Sequence, residues 1–232
     1  MPNSPKILVA IKSCNRDRLA GCHTAIRETW GKDFPSNVDV RFFVGHGHGA
    51  SDLLPDEIAV DTPDDLIALP LKVREIAKHS GANGYDYTFL CDVDTFVIPS
   101  RLLASGFEGY DYFGRFMVDG PATPIRNFQD GRIGIIPFVW NYCSGGVGYF
   151  LSKRAAELIA KMVPVHYAED FSVGHALGPS IQAGKLTVEY PKPFDGYVAW
   201  HYGVWSRSKY VWPDSVGFEP QWMYDSYAKG QP

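Results

Sequence analysis

Short apolar runs alternate with helical patterns through the first hundred residues of this 232-residue chain. The continuous run Ile7–Ile11 is typical of a strand buried on both faces, and Val38–Val44 and Thr88–Cys91 are further strand candidates. Apolar residues at helical spacing predict a helix over Asn15–Trp30, with Asn15 as its N-cap and Leu19 on the buried face. A second helix is predicted between residues 64 and 81, with Leu66 on its buried face. This alternation predicts an α/β fold with a mixed, mostly parallel sheet flanked by helices.

The second half of the chain has a less regular pattern. Asp111–Met117 predicts a strand, and residues 118–138 predict a loop or a hairpin that could act as a lid. Ser152 is the expected N-cap of a helix that turns Leu158 inward, and Glu169–Ala183 is expected to form another helix. The tail from Pro213 onward predicts no regular structure. We expect all 232 residues to form a single domain.

Composition and charge exclude some classes of protein. The net charge is −4 and no cluster of Lys or Arg occurs, so a nucleic-acid partner is not expected. No apolar run reaches the roughly 18–20 residues of a membrane span. The start of the chain lacks a signal-peptide pattern, so we expect a cytoplasmic protein, bacterial or viral, or a trimmed soluble catalytic domain. The four widely spaced cysteines indicate reduced thiols.

Two carboxylates, Asp92 and Asp94, follow the hydrophobic strand Thr88–Cys91. In parallel sheets ligands bind at the carboxyl ends of the strands, so these side chains lie where a ligand is expected. Two such carboxylates could hold a divalent cation against a phosphate-bearing ligand. Alternatively, they end the strand and face water, because a D-x-D string of this length also arises by chance.

Glu169 and Asp170 open a predicted helix, where the helix dipole favours carboxylates for structural reasons alone. The functional alternative is a general base that takes the proton from an attacking hydroxyl. Upstream, the glycines Gly145 and Gly146 form a turn that lets the backbone approach a ligand closely, or simply a tight turn.

Three histidines also require an interpretation. His46 and His48 follow a predicted strand and could be paired metal ligands of a hydrolase, although the surrounding glycines favour a loop. His201 lies in an aromatic segment, where a packed histidine is more common than a metal ligand. Arg27 and Trp30 lie on the first helix, and we assign Trp30 to the core.

Four segments together resemble glycosyltransferase family 31, which includes β1,3-galactosyltransferases, N-acetylglucosaminyltransferases and fringe. The segments follow the order of the family pattern over roughly residues 6 to 175. They are HTAIRETW at His23–Trp30, FLCDVDTFV at Phe89–Val97, YCSGGVGYFLS at Tyr142–Ser152 and EDFSVG at Glu169–Gly174. The third segment is the most specific and the D-x-D segment the least.

The resemblance implies a GT-A fold, a UDP-sugar donor and Mn²⁺ or Mg²⁺. It also divides the chain into a nucleotide-binding half, residues 1–98, and an acceptor-side half, residues 99–232. The metal ligands implied are Asp92, Asp94 and His201, and the catalytic base implied is Asp170. The donor would be contacted by Arg27, Lys72, Asp92, Gly145 and Gly146.

The activity implied is inverting transfer of a hexose or N-acetylhexosamine to a hydroxyl acceptor, with a β1,3 linkage to a glycan as the family expectation. Leu90 and Val93 stand where the family often has Lys and Asp, which leaves the donor sugar open. Two alternatives remain: a metal-dependent hydrolase that uses His46 and His48, and a non-catalytic sugar- or nucleotide-binding module.

Overall fold

The computed structural model describes residues 4–46, 52–117, 123–126, 133–136, 141–194, 197–201 and 220–230, with the backbone alone at 123–126, 133–136 and 201. The strands are β1 (Ile7–Lys12), β2 (Val38–His46), β3 (Glu57–Pro63), β4 (Tyr87–Asp92), β5 (Thr95–Val97), β6 (Tyr112–Gly114), β7 (Phe116–Met117), β8 (Thr123–Arg126), β9 (Ile133–Ile136), β10 (Tyr142–Cys143), β11 (Tyr149–Ser152), β12 (Val188–Glu189) and β13 (Ala199–His201). The α-helices are α1 (Asn15–Leu19), α2 (Cys22–Glu28), α3 (Leu69–Ala82), α4 (Pro99–Leu103), α5 (Lys153–Ile159), α6 (Glu169–Gln182) and α7 (Pro220–Lys229).

Seven strands form one mixed sheet in the order β12-β6-β11-β4-β1-β2-β3. All neighbours are parallel except the pairs that β11 makes with β4 and β6, which confirms the predicted mixed, mostly parallel sheet. Strands from both halves of the chain share this sheet. After β1 the chain builds β2 and β3 on one side and then returns to β4 on the other. The strand order therefore reverses between β1 and β4, where α/β sheets bind ligands.

The two faces of the sheet bury separate apolar cores. Alternate residues of β1 point to opposite faces, so that Ile7, Val9 and Ile11 pack with α2, whereas Leu8 and Ala10 pack with α3, α5 and α6. Lys12 and the following residue, Ser13, accordingly face different layers. Lys12 therefore reaches Glu169 on α6, whereas Ser13 reaches His23 on α2.

The predicted helix over Asn15–Trp30 is two helices. The helix is interrupted at Gly21, whose φ of +89° is a conformation that glycine adopts without strain. Asn15 is the first helical residue rather than the cap, and Leu19, expected inside, is 73% exposed. The break turns α2 so that Cys22, Ile26 and Trp30 still reach the core.

The second predicted helix begins later than expected. It starts at Leu69, so Pro70 lies in its first turn, where proline is tolerated. Leu66 precedes the helix and is exposed, although helical spacing had placed it inside. Asp64 does not start the helix; its carboxylate accepts a hydrogen bond from the Asn15 amide, just after β1.

The predicted strand over Asp111–Met117 is two strands, β6 in the large sheet and β7 in a separate pair with β10. Within residues 118–138, β8 and β9 form an antiparallel hairpin, and the remainder lies outside the described residues. Ser152 caps α5 through a bond from the Ala155 amide, as predicted. Leu158 of that helix, predicted inside, is 38% exposed.

The tail was predicted to be irregular, but residues 220–230 contain the helix α7. Met223 is buried there, and the Trp30 indole nitrogen donates to its sulfur at 3.1 Å. Proline at the helix start and Met223 and Tyr227 one turn apart are the local signals. The tail therefore packs back onto the first layer of helices.

The four cysteines are free thiols, and all except Cys14 are buried. Over the described part of the chain, no helix is long and apolar enough to cross a membrane.

Asp111 joins three elements at the end of the sheet remote from the switch point. Its carboxylate accepts from the Ser152 hydroxyl at 2.6 Å, from the Thr187 amide at 2.9 Å and from Arg154. Burial would raise the pKa of Asp111, but these donors outweigh burial and lower it to about 2.

We therefore expect Asp111→Asn to lower the free energy of unfolding by about 2 kcal/mol at pH 7. A carboxylate with a depressed folded-state pKa stabilises the protein above its unfolded pKa of about 4, and that contribution disappears as the pH falls toward 2. Urea titrations should show that the difference in the free energy of unfolding between variant and wild type is smaller at pH 3 than at pH 7. Asp225→Asn, a change at an exposed residue, is the control. An equal difference at both pH values would contradict the assignment.

Candidate active site at the switch point

Lys12 is a buried cation at the carboxyl end of β1. Its ammonium group donates to Asp92 Oδ1 at 3.0 Å, to the Gly145 carbonyl at 3.1 Å and to Glu169 Oε1. The side chain is only 1% exposed. Lys12 thus joins the end of β4, the glycine turn before β11 and the start of α6.

The three acceptors match the three N–H bonds of an ammonium group, so Lys12 is fully satisfied. Burial would lower the pKa of Lys12, but the charges of Asp92 and Glu169 outweigh it and raise the pKa above its ordinary value. Burial also raises the pKa of Glu169, against the opposing charge of Lys12. The Tyr149 hydroxyl donates to the second Glu169 oxygen at 2.8 Å.

Asp170 lies on the other side of the same glycine turn. Its Oδ2 accepts from the Gly145 amide at 3.0 Å and its Oδ1 from the Phe171 amide at 2.8 Å. Burial raises the pKa of Asp170, and these two amides only partly oppose it. Gly145 is therefore held by Lys12 at its carbonyl and by Asp170 at its amide, while Asp170 stays partly exposed.

The glycine turn is also tied to the segment after β4. The Thr95 hydroxyl, one residue after Asp94, donates to the Gly146 carbonyl at 2.6 Å. A Cβ at position 145 would overlap the Glu169 carboxylate, so the buried ion pair itself requires glycine there. The sequence left ligand approach and a simple tight turn as alternative reasons for this glycine, and the structure adds a packing reason.

Asp92 and Asp94 lie where β4 ends, and both are partly exposed. Within the described residues, no group of three or more His, Cys, Asp or Glu side chains is arranged to hold a metal ion. Mg²⁺ and similar ions are commonly bound by one or two carboxylates together with substrate phosphates. The two aspartates fit that kind of site, in which a nucleotide completes the coordination.

His201 is the last described residue of β13, which pairs antiparallel with β5. The register places His201 opposite Thr95, the residue after Asp94. The backbone thus brings His201 beside the acidic segment. Its role as a metal ligand stays a prediction.

The predicted donor residues Arg27 and Lys72 form ion pairs within the protein. Arg27 donates to both Asp56 oxygens, at 2.7 and 2.8 Å, and to Glu57 at 2.7 Å. Lys72 is buried, donating to the Ser13 carbonyl and to Asp64 at 3.0 Å. Lys72 therefore supports the segment after β1, and donor contacts by either residue stay predictions.

Of the two histidines of the hydrolase alternative, the structure describes only His46. His46 ends β2 and lies 2.7 Å from Asp61, an exposed residue of β3. His48 lies outside the described residues.

Sequence reasoning assigned no role in the site to Lys12, although the end of the first strand is expected at the same edge of the sheet as Asp92 and Asp94. A lysine that ends an apolar strand looks like an ordinary exposed strand end, because its partners lie far along the chain. One signal was available in the sequence. Several carboxylates are predicted near the carboxyl ends of the strands, and carboxylates that are buried together require a compensating cation. The buried groups Ser13, His23 and Glu57 were likewise not singled out.

Two solved structures illustrate what this chain is similar to. One similar solved structure is that of a glycosyltransferase involved in the glycosylation of the major capsid of PBCV-1, with 13% identity, a TM-score of 0.51, and coverage of 95% of this chain and 100% of that one. Another is the inositol-1-phosphate CTP transferase from T. maritima, with 14% identity, full coverage of both chains and a TM-score of 0.47.

At this level of identity the first likeness shows the fold alone. Together with the mixed seven-stranded sheet, it confirms the predicted GT-A-type, Rossmann-like architecture. No family model matches the sequence, and a search of curated proteins finds no match. Membership of family 31 therefore stays a prediction.

Removal of the central cation should destabilise the protein strongly. Lys12→Met leaves Glu169 and Asp92 without their partner, and we expect the free energy of unfolding to fall by about 3–5 kcal/mol. The double variant Lys12→Met/Glu169→Met should recover a large part of that loss, because it removes the uncompensated buried charge.

Urea denaturation of both variants measures these effects. Lys78→Met, which breaks an exposed pair with Glu75, is the control and should change stability by less than about 0.5 kcal/mol. A Lys12→Met variant as stable as this control would show that the buried cation is dispensable.

Proposed function

We propose that the protein is an inverting, metal-dependent glycosyltransferase that moves a hexose or N-acetylhexosamine from a UDP-sugar to a hydroxyl acceptor. The observation that carries this proposal is the arrangement around Gly145. The Gly145 amide donates to Asp170, a carboxylate suited to accept a proton, and the Gly145 carbonyl accepts from Lys12, which pairs with Asp92.

The electrostatics of Asp170 suit a general base. Burial raises its pKa, which increases its affinity for a proton, and its partial exposure leaves room for an acceptor. In the proposed step the acceptor oxygen attacks the anomeric carbon as its proton passes to Asp170. The bond from that carbon to the UDP oxygen breaks, and UDP leaves with the bonding electrons.

Asp92 and Asp94 are the residues that would hold Mn²⁺ or Mg²⁺, with His201, whose backbone pairs with Thr95, as the third ligand that the resemblance implies. A bound divalent ion supplies electrostatic stabilisation of the negative leaving group. The Lys12 ammonium lies 3.0 Å from Asp92 Oδ1 and so restricts the orientation of this carboxylate at the end of β4.

The finer parts of the proposal derive from the resemblance to family 31. They are the UDP-sugar donor, contacts to it from Arg27, Lys72 and Gly146, and a β1,3 linkage to a glycan. Release of UDP from a panel of UDP-sugars, with and without Mn²⁺, tests the class and identifies the donor. No release from any donor would count against the proposal.

Asp170→Asn should keep donor binding and lose at least about a hundredfold of the transfer rate, the usual contribution of a general base. Transfer is measured with the donor that gives UDP release, and donor affinity by calorimetry. Asp61→Asn, a change at an exposed carboxylate on β3, should leave both unchanged. Near-wild-type turnover in Asp170→Asn would remove Asp170 as the base and favour a non-catalytic binding module.

Asp94→Ala should abolish the Mn²⁺-dependent part of UDP binding and leave the thermal midpoint nearly unchanged, because the carboxylate is partly exposed. Calorimetric titration of UDP with and without Mn²⁺ measures this. Asp86→Ala, at an exposed site before β4, is the control. The hydrolase alternative predicts the reverse pattern, in which metal binding survives Asp94→Ala and is lost in His48→Ala.

A further inference from the structure

Thr95 is a buried threonine at which three parts of the candidate site meet. It is the first residue of β5 and directly follows Asp94. Its backbone pairs with that of His201 on β13, and its hydroxyl donates to the Gly146 carbonyl at 2.6 Å. The residue is fully buried. Thr95 therefore connects the acidic segment after β4 to the glycine turn.

The glycine turn is held at successive peptide groups. The Gly145 amide donates to Asp170 Oδ2 at 3.0 Å, and the Gly145 carbonyl accepts from Lys12 at 3.1 Å. The next carbonyl, that of Gly146, accepts from Thr95. Donors from β1 and β5 thus fix the two carbonyls that immediately follow the amide bonded to Asp170.

These bonds matter because the backbone of the turn has little stiffness of its own. The Glu169 carboxylate leaves no room for a Cβ at position 145, so that position must be glycine. Glycine has access to more backbone conformations than any other residue. The direction of the Gly145 N–H bond is therefore set by the hydrogen bonds around it.

The Gly145 amide in turn orients Asp170. Of the two amides that donate to this carboxylate, that of Phe171 belongs to the next residue of α6 and moves with Asp170. The Gly145 amide belongs to a different element, so it fixes the side chain relative to the rest of the site. Burial raises the pKa of Asp170, and the same amide opposes that shift. Both the direction of the carboxylate and its affinity for a proton thus depend on the glycine turn.

A general base tolerates little displacement. It must lie about 2.6–3.2 Å from the atom whose proton it takes, and a misplacement of about 1 Å can cost about a hundredfold in rate. Gly146 is partly exposed, so water can replace the Thr95 hydroxyl as the donor to its carbonyl. Water satisfies a carbonyl from several directions. Without the Thr95 hydroxyl, the turn would lose a single defined orientation.

We propose that Thr95 is a positioning residue for Asp170 and acts on it through the glycine turn. The inference deepens the proposed function and rests on it for the role of Asp170 as the base. Removal of the Thr95 hydroxyl leaves Asp94 in place and leaves Asp92 paired with Lys12. It should therefore lower the rate of transfer and leave the affinity for the donor nucleotide unchanged.

Thr95→Val tests the inference, because valine has nearly the shape of threonine and lacks the hydroxyl. Thr95→Ser keeps the hydroxyl and loses only a methyl group. Thr88→Val is the matched control. Thr88 is also buried, its hydroxyl lies 2.6 Å from that of Ser80, and it lies near the start of β4, at the end of the strand opposite Asp92.

Three quantities are measured for each variant. The turnover number kcat is measured with the donor that gives UDP release, and the dissociation constant of UDP is measured by calorimetry in Mn²⁺. The hydrogen-exchange rate of the Gly145 amide is measured by NMR. This third measurement reports on the bond to Asp170 and needs no turnover.

Thr95→Val should lower kcat at least about tenfold and change the dissociation constant of UDP by less than about twofold. The Gly145 amide should exchange about fivefold faster, the effect of one lost hydrogen bond. Thr95→Ser should recover most of both effects. Thr88→Val should match the wild type in all three measurements, although it loses a buried bond of the same length.

Several results would overturn the inference. They are an unchanged kcat in Thr95→Val, a lower kcat with an unchanged Gly145 exchange rate, or equal losses in Thr95→Val and Thr88→Val, which would show a purely structural threonine. If the wild type transfers no sugar, the proposed function fails, and the Gly145 exchange rate alone decides whether Thr95 holds the turn. If Thr95→Val does not fold, Thr95→Ala, which also lacks the hydroxyl, replaces it under the same criteria.

Discussion

A buried ammonium group, that of Lys12, holds the candidate active-site region together. It compensates carboxylates from β4 and α6 that could not otherwise approach one another in a poorly solvated place. The same group bonds the Gly145 carbonyl, and so fixes the turn that Asp170 contacts from the other side. An isolated buried pair often contributes little net stability, but this cation also fixes the Gly145 turn and the start of α6, which lie 133 and 157 residues from Lys12 in sequence.

The fold was predictable because its main signals are local. Buried strands such as β1 and β4 and the alternation with helices follow from short apolar runs, and they suffice for the α/β class. The errors arose where one residue overrides a pattern. Gly21 breaks a continuous helical stripe, and Asp64 is taken from the predicted helix by bonds to Asn15 and Gly45. The helix α7 was missed because its burial depends on Trp30, at the other end of the chain.

The candidate site was only partly predictable for the same reason. Asp92, Asp94 and Asp170 follow from strand ends, helix starts and a family resemblance, all of which can be read over a few residues. Lys12 and His23 form bonds with partners distant in sequence, such as Glu169 and Glu57, and nothing near them in the chain distinguishes a buried charge from an exposed one. The topology brings these partners together, and topology is what a single sequence specifies least directly.

The alternation of side chains at the end of β1 directs neighbouring residues into two cores. Lys12 continues the layer of α3, α5 and α6, which carries Glu169 and Asp170, whereas Ser13 turns toward the layer of α2, which carries His23. The segment after β1 nevertheless joins both layers, because Lys72 of α3 donates to the Ser13 carbonyl while the Ser13 side chain bonds His23 of α2. Protein interiors are close-packed and transmit strain, so repacking on either side of the sheet would be felt at this segment. The end of β1 is thus a point at which substitutions made in either core converge.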